Sequence, residues 1–474
     1  MGKRHEIDPR AEFQRAEFGD RRLNERLLTM FDAVVDAPSR SFPSAMPSDA
    51  QLEGTYRFFK NEKVTLQRLI EPHIEATVGR AAADGSLLVL HDTTEFRFGG
   101  ASRREGLGVI ANGGQGFYGH FALAVSDDGK RTPLGLAGLL TYTRDQATKR
   151  IREVDYLKRR LVPRESVRWG LLFDEVEDRF GHLKPIHVMD READDFELFT
   201  KMVERGSRFV VRMTTQRRRR AKCDSITITS PYVEDIARAL PHKAKREVPL
   251  SRRTQVQRGA RTINAHPNRA RRVAKLEFGA AVVDLAPPRA LTRQMKPLTV
   301  AIVHVCEKSP PAGEAPVEWT LATTEPVGTA DEILNVIDHY RARWLSEEYF
   351  KALKTGCAVE RRQLESADAL RSVLGLFAPI AVRILALRSR ARLAPDEPAT
   401  RVLDGTELAA LRTLARSPLP RSPTVRDALF AIAELGGHLR RNGEPGWQTL
   451  CRGWEKLEIA VQVVNAISDG KRRK

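Results

Sequence analysis

Two aspartates and one glutamate stand where this chain could assemble phosphoryl-transfer chemistry. Asp92 follows the apolar run LLVLH and Asp190 follows IHVM. Each sits at the C-terminal end of a predicted central strand, where an open α/β sheet places its sites. Glu347 lies in YRARWLSEEYFKALK, residues 340–354, which reads as one helix. There Tyr340, Arg343, Glu347, Lys351 and Lys354 recur at intervals of three, four, four and three, and at about 100° per residue they share a face. An aromatic hydroxyl, three cations and one carboxylate on one face suit a polyanion, with the carboxylate holding a metal and the cations holding phosphates. Three converging acids could hold two divalent metals roughly 3.5–4 Å apart for in-line displacement at phosphorus. Mg²⁺ suits such a site, because it is a hard cation bound through carboxylate, phosphate and water.

Each piece also has an ordinary reading. A strand-end aspartate is often a turn former or helix cap. Glu347 with Lys351, or with Arg343, forms the (i, i+4) surface pair that stabilises a helix by a few tenths of a kcal/mol. The rest of the chain bears on the choice.

The 474 residues are too many for one core, and two to four domains are expected. Hydrophobic residues are 41% and charged residues 30%, as in a globular protein rather than a disordered one. No run is expected to supply the ~18 apolar residues of a membrane span. The N-terminal MGKRHEIDPRAEF carries no apolar segment, so no secretory signal is expected. A cytoplasmic, nucleoid-associated bacterial location follows as an expectation. Cys223, Cys306, Cys357 and Cys451 lack CxxC spacing and read as free thiols without a zinc site. The formal net charge of +18 is an electrostatic footprint for nucleic acid. An anionic membrane would ask for a basic amphipathic helix with apolar anchors, which the sequence does not offer.

The elements that must position the acids are legible in outline. Residues 10–75 read as helical, with Ser48–Asp49 able to cap a helix through AQLEGTYRFFKN. GSLLVLHDTTEFRF reads as a strand, a break and another strand. GFYGHFALAVSDDGKRTPLGLAGLLTYT reads as a hairpin with Asp127–Asp128–Gly129 at its turn. REVDYLKRRL and ESVRWGLLFDEVEDRF read as helices, and KPIHVMDREADDFELFTKMVERG as a strand ending in an acid before a helix. SRFVVRMT is another strand. From about residue 216 the chain turns basic and polar, then gives the strands KLEFGAAVVDL, LTVAIVHVCEK and VEWTLATT, a β-rich insertion. A helical region runs from about 366 to 468.

With these motifs assembled, the chain resembles the DDE transposases of the insertion-sequence-four branch, the transposon-five type in particular. That branch carries tyrosine, two residues, arginine, three residues, glutamate, six residues, lysine; here these are Tyr340, Arg343, Glu347 and Lys354. Its first acid lies in a DTT-like segment, here HDTTEF with Asp92. Its second lies in DREAD, here residues 190–194. GDRRLNERL, EGTYRFF, AIAELGG and WQTLCRGWEKL extend the likeness over nearly the whole chain.

The resemblance implies an α/β fold: a ribonuclease-H-like catalytic core interrupted by a β-rich insertion, with helical N- and C-terminal domains. The expected division is residues 1–78 (DNA-binding), 79–222 (core), 223–318 (insertion), 319–370 (core, with the glutamate helix) and 371–474 (dimerisation). It implies Asp92, Asp190 and Glu347 as catalytic metal ligands for two Mg²⁺ ions, with Mn²⁺ a plausible substitute. Tyr340, Arg343, Lys354, Lys351, Arg212 and Trp319 become DNA-binding residues. Arg212 would contact phosphate on a distorted DNA end, and Trp319 would stack on a base flipped from the duplex. Without the resemblance Trp319 would pass for a core tryptophan and Arg212 for a surface arginine. The implied partners are terminal inverted repeats and target DNA, bound by a homodimer on paired ends. The implied reaction is nicking, hairpin formation, hairpin opening and strand transfer. A catalytically silent DNA-binding regulator and a stand-alone metal-dependent nuclease are the competing readings. His91, His187, Glu192 and Asp194 are expected to pack or brace rather than bind metal, Glu348 to point away from Glu347, and Arg217–Arg220 to form a generic phosphate track or loop.

Overall fold

The computed structural model describes residues 7–35, 37–100, 103–110, 113–144, 167–214, 217–252, 257–258, 261–262 and 268–472. The expected helix REVDYLKRRL lies outside them. The chain forms two compact units: Met1–Leu87, Thr93–Arg152 and Trp344–Lys474 in the first, Leu88–Asp92 and Glu153–Arg343 in the second.

The first unit opens with helices α1 (Pro9–Phe13), α2 (Arg21–Val34), α3 (Phe42–Ala45), α4 (Asp49–Lys60) and α5 (Leu66–Asp84). Their starts are set by short polar side chains that accept the otherwise orphaned first N–H groups: Asp20 for α2, Ser48 for α4 and Thr65 for α5. Leu27, Met30, Phe31 and Val34 recur at helical spacing and form the buried stripe of α2. Gly85, at φ +84°, ends α5 in the left-handed conformation.

Strand β1 (Leu87–Arg97) follows without the expected break. Asp92, Thr93 and Thr94 remain extended, since β-branched threonines fit a strand and no glycine or proline interrupts it. Residues 88–92 belong to the second unit and 93–97 to the first. After the short β2 (Gly108–Val109), β3 (Gln115–Ser126) and β4 (Pro133–Tyr142) form the expected hairpin. Asp128 supports its turn by accepting from the Lys130 N–H and the Ser126 hydroxyl.

The second unit takes in α6 (Val167–Phe180), β5 (Ile186–Met189), α7 (Phe196–Glu204), β6 (Arg208–Arg212), β7 (Ala221–Lys222), α8 (Val233–Ala239) and β8 (His242–Leu250). Beyond these come β9 (Gln257–Arg258), β10 (Arg261–Thr262), β11 (Arg272–Leu285), β12 (Leu298–Glu307), β13 (Glu318–Thr323) and α9 (Ala330–Ala342). The inner half of β1 pairs in parallel with β5, and β5 with β6. The order then runs β13, β12, β11, with β7 and β8 both on β11. The sheet is therefore mixed. HKAKREVPL, which the sequence marks only as basic and polar, is strand β8. Its alternating polar residues suit an outer strand with one wet face. The stretch from Val233 forms α8, unforeseen in the sequence. Trp169 and Phe173 of α6, Phe196 and Phe199 of α7, Ile236 of α8, and Val283, Val300 and Ile302 of the outer strands share one apolar core.

The chain then returns to the first unit with α10 (Trp344–Lys351), a π-helical turn at Ala352–Gly356, α11 (Ala367–Leu393), α12 (Gly405–Leu414), α13 (Val425–Leu435) and α14 (Trp447–Arg472). Helix α11 corrects the expectation that no segment reaches membrane length. It is long and apolar enough to span, but most of it is buried inside the protein, as a central core helix is. It packs on α5 and β4. Helices α13 and α14 approach closely: a Cβ on Gly453 would lie 1.7 Å from the Ile432 carbonyl oxygen, and one on Gly436 would lie 1.8 Å from that of Thr449.

Candidate functional site

Backbone register brings the first two acids together. Leu88, Val89 and Leu90 of β1 sit opposite Ile186, His187 and Val188 of β5. Carried two residues further, that register sets Asp92 level with Asp190. On the other side of β5, Met189 faces Val211 of β6, and the next step sets Asp190 level with Arg212. Two carboxylates and one guanidinium therefore occupy neighbouring strand positions: Asp190 and Arg212 at the C-terminal ends of β5 and β6, and Asp92, contrary to its expected strand-end place, within the continuous β1. The strands beneath them are apolar and buried, so their positions do not depend on side-chain contacts.

Asp92 is half-buried, and its Oδ2 accepts from Nη1 of Arg343 at 2.6 Å. Asp190 ends β5 and also accepts from the Glu192 N–H at 2.8 Å, capping the turn Arg191–Ala193. The ordinary role of a strand-end aspartate is thus present, and it uses only part of a carboxylate's capacity of about four lone-pair sites. Behind them, His91 and His187 are fully buried. His91 Nε2 lies 2.9 Å from His187 Nδ1, and His187 Nε2 lies 2.8 Å from Glu177. These histidines brace the strands, as the sequence reading expects.

The segment 340–354 departs from the single helix. Helix α9 ends at Ala342, Arg343 forms a turn, α10 ends at Lys351, and residues 352–356 take π-helical hydrogen bonding. A π turn changes the phase of the helix, so the five polar residues do not share one regular face. The cations of this segment also take partners other than Glu347. Arg343 reaches Asp92, whereas Lys351 pairs with Glu348 at 2.9 Å and lies over the Trp344 ring. Lys354 is largely buried, donates to the Glu95 carbonyl, sits 3.7 Å from Glu360 and lies over Phe96. Burial pushes its pKa below the usual lysine range, with Glu360 and Glu95 opposing.

Glu348 is committed to the interior. Its carboxylate takes Arg388 at 2.6 Å, the Trp447 indole N–H at 2.9 Å and Lys351. Burial would raise its pKa, yet these partners hold it below the ordinary value. Glu347, half-buried in the first turn of α10, belongs to the first unit, whereas Asp92 and Asp190 belong to the second.

Trp319 stands on β13 outside the apolar core, partly exposed, with its ring centroid 5.2 Å from that of Tyr340. A cavity of about 150 Å³ beside it is lined by Arg191, Arg212, Arg219, Arg238 and His304. Arg219 is not part of a free phosphate track, because it pairs with the fully buried Asp194, which also accepts from the Thr214 N–H. DREAD therefore braces the loop after β6, while Asp195 caps α7. The sequence reading missed Arg191 and Arg238, whose only sequence signal is charge. It also passed over Trp344, a 57% exposed tryptophan beside Glu347.

Two family models match the chain. One, described as Transposase DNA-binding, matches residues 9–64, which hold α1 to α4. The other, described as Transposase DDE domain, matches residues 83–378, an interval that holds Asp92, Asp190 and Glu347.

Proposed function

The chain belongs to the DDE transposases, enzymes that cleave DNA and transfer strands, and on that premise we propose a cut-and-paste reaction carried by Asp92, Asp190 and Glu347. The observation that carries this reading is the parallel register of β1 on β5, which, extended two residues beyond Leu90 and Val188, sets Asp92 opposite Asp190. We assign Glu347 of α10 as the third acid because it holds the glutamate position of the Tyr340, Arg343, Glu347, Lys354 spacing.

Enzymes of this family use divalent metal ions. The donor set here is hard carboxylate oxygen, which fits Mg²⁺, with Mn²⁺ as a substitute. We assign two ions to the three acids. When bound, such ions would supply Lewis acidity at phosphorus and make a bound water a stronger acid than bulk water. The protein's own groups do the rest. Arg343 and Lys354 neutralise phosphate, and Tyr340 donates a hydrogen bond to a phosphate oxygen. Arg212 holds phosphate on the distorted end, and Lys351 adds a flanking cation. Trp319 takes an unstacked base, a contact of ~1–3 kcal/mol that offsets the few kcal/mol of unstacking. With a strand so bent, one site serves nicking, hairpin formation, hairpin opening and strand transfer, since each is a displacement at phosphorus. The catalytic fold is read as a ribonuclease-H-like core, with residues 223–318 as its β-rich insertion.

Terminal inverted repeats and target DNA are the proposed substrates, with two chains on two ends. For assembly we assign α14, where Ile459 and Val463 remain exposed one turn apart while Leu457 and Val461 serve the local core. Ile459→Glu is expected to retain single-end binding and lose the paired-end complex in a native gel. The central test is a Mg²⁺ reaction on a labelled transposon-end duplex. Nicked, hairpin and joined products support the proposal. Nicking alone indicates a nuclease, and binding without cleavage a silent regulator.

A further inference from the structure

The outer strands of the second unit carry a cluster that phosphoryl transfer does not use. Sheet register sets His242, Gly279 and His304 in one row across β8, β11 and β12. It sets Glu277, Cys306 and Glu318 in the next row across β11, β12 and β13. Residues two apart on a strand share a face, so these side chains project to one side. A bulge in β8 at Lys243 brings His242 into line. Gly279, between the histidines, places no side chain between their rings, and a Cβ there would lie 2.9 Å from Leu240 Cβ.

One nitrogen of each ring and the Cys306 sulfur lie within 4.8 Å of one another. His242 Nε2 is 3.4 Å from that sulfur, while its Nδ1 is 2.9 Å from Glu277. His304 Nε2 is 3.3 Å from Glu318, and its Nδ1, in a side chain only 3% exposed, meets no hydrogen-bond partner among the described residues. A buried polar atom left so is uncommon and costs free energy.

We propose that His242, His304 and Cys306 bind one borderline-soft divalent transition metal, Zn²⁺ by its chemistry, at a site separate from the three acids. Tetrahedral bonds of about 2.0–2.1 Å to nitrogen and about 2.3 Å to sulfur set donors roughly 3.3–3.7 Å apart. His242 and Cys306 already stand at that spacing, and the third donor reaches it by a small side-chain rotation. Glu277 and Glu318 are the carboxylates that orient metal-binding imidazoles through their other nitrogen. Lys245 and Arg238 balance these acids, at 2.9 Å from Glu277 and 2.8 Å from Glu318.

Burial lowers the pKa of both histidines, with Lys308 adding to the effect at His242, so the rings are held in the neutral, ligating form. Burial raises the Cys306 pKa. Metal binding therefore displaces the thiol proton to solvent, one proton per ion, and affinity rises with pH. Cys306 and His242 are only partly buried, which leaves a path for an ion from solvent. The ion would clamp β8 to β12 across β11. Arg246 of β8 in turn grips Asp338 of α9 at 2.6 and 3.0 Å, two residues before Tyr340. The absence of CxxC spacing concealed this set, because sheet register rather than sequence proximity gathers it.

The test uses untagged, full-length protein without DNA, stripped by chelator and then titrated with Zn²⁺ or Co²⁺. One ion per chain is expected after desalting. The Co²⁺ form should show a thiolate-to-cobalt charge-transfer band and tetrahedral d–d bands. Cys306→Ser should lose the charge-transfer band, and the Asp92→Asn/Asp190→Asn protein should keep it. A wild-type protein without that band, or a band that survives Cys306→Ser, overturns the proposal. A second measurement needs no variant. Peptide-resolved alkylation of Cys306 should slow about tenfold at a Zn²⁺ concentration ten times the dissociation constant. Equal rates with and without Zn²⁺ overturn the assignment as well.

Discussion

The strand positions of Asp92, Asp190 and Arg212 and the broken helix at 340–356 are fixed by opposite means. The strand positions come from backbone register over a dry core. The helical segment is held by side chains: Arg343 on Asp92, Glu348 among Arg388, Trp447 and Lys351, and Lys354 on the Glu95 carbonyl. In the proposed roles, Asp92 and Asp190 gain from a frame that does not move, and cations that follow a bending DNA strand can be held by contacts that exchange for phosphate. The contrast also separates neighbours in sequence, since Glu348 is consumed by the interior while Glu347 beside it is assigned to the chemistry.

The sharpest way to break this comparison is to remove the acids. Asp92→Ala, Asp190→Ala and Glu347→Ala are each expected to lower cleavage by at least ~10³-fold, roughly 4 kcal/mol of barrier. DNA binding in a gel shift should survive, because affinity comes mainly from cations on phosphates. Substantial nicking by any one variant removes that residue from the metal set.

Glu348→Ala should act on the fold instead. It strands Arg388 in the interior, and breaking a buried pair costs about 3–5 kcal/mol. The expected result is a clear fall in thermal midpoint, checked by circular dichroism. An unchanged midpoint would mean that the buried network does not support α10.

Trp319→Ala should spare the first nick and slow hairpin formation roughly five- to a hundred-fold, for a loss of ~1–3 kcal/mol of stacking. Tyr340→Phe keeps the ring facing Trp319 and should show a milder form of the same defect. A time course resolving nicked from hairpin DNA decides between this and a general loss. Equal slowing of both steps in Trp319→Ala would assign the ring to stability.

The smallest effect belongs to Lys351→Ala. Its pair with Glu348 is half-exposed on the lysine side, and such pairs contribute about 0–1 kcal/mol. Stability should hardly move. Any change should appear as weaker end binding with a shallower salt dependence. A large fall in thermal midpoint would assign Lys351 to the Glu348 network.

Much of this was legible from residue order alone, because its causes are local. The apolar runs LLVLH before Asp92 and IHVM before Asp190 announce strands, and the second also announces its C-terminal end, whereas β1 runs on through Asp92 to Arg97. The cap at Ser48 acts within a few residues of itself, and the Asp127–Asp128–Gly129 turn needs only its own hairpin. Charge totals need no structure. What tertiary structure decided depends on partners far along the chain. Nothing near Arg343 predicts that its guanidinium would reach Asp92, nor that Glu348 would find Arg388 and Trp447. The π turn at Ala352–Gly356, the strand hidden in HKAKREVPL and the burial of α11 are settled by packing against distant elements. The meeting of His242, His304 and Cys306 is the clearest case. Two of them share a strand face at a spacing of two, but the third arrives through the register of β8 on β11, which only the folded sheet specifies.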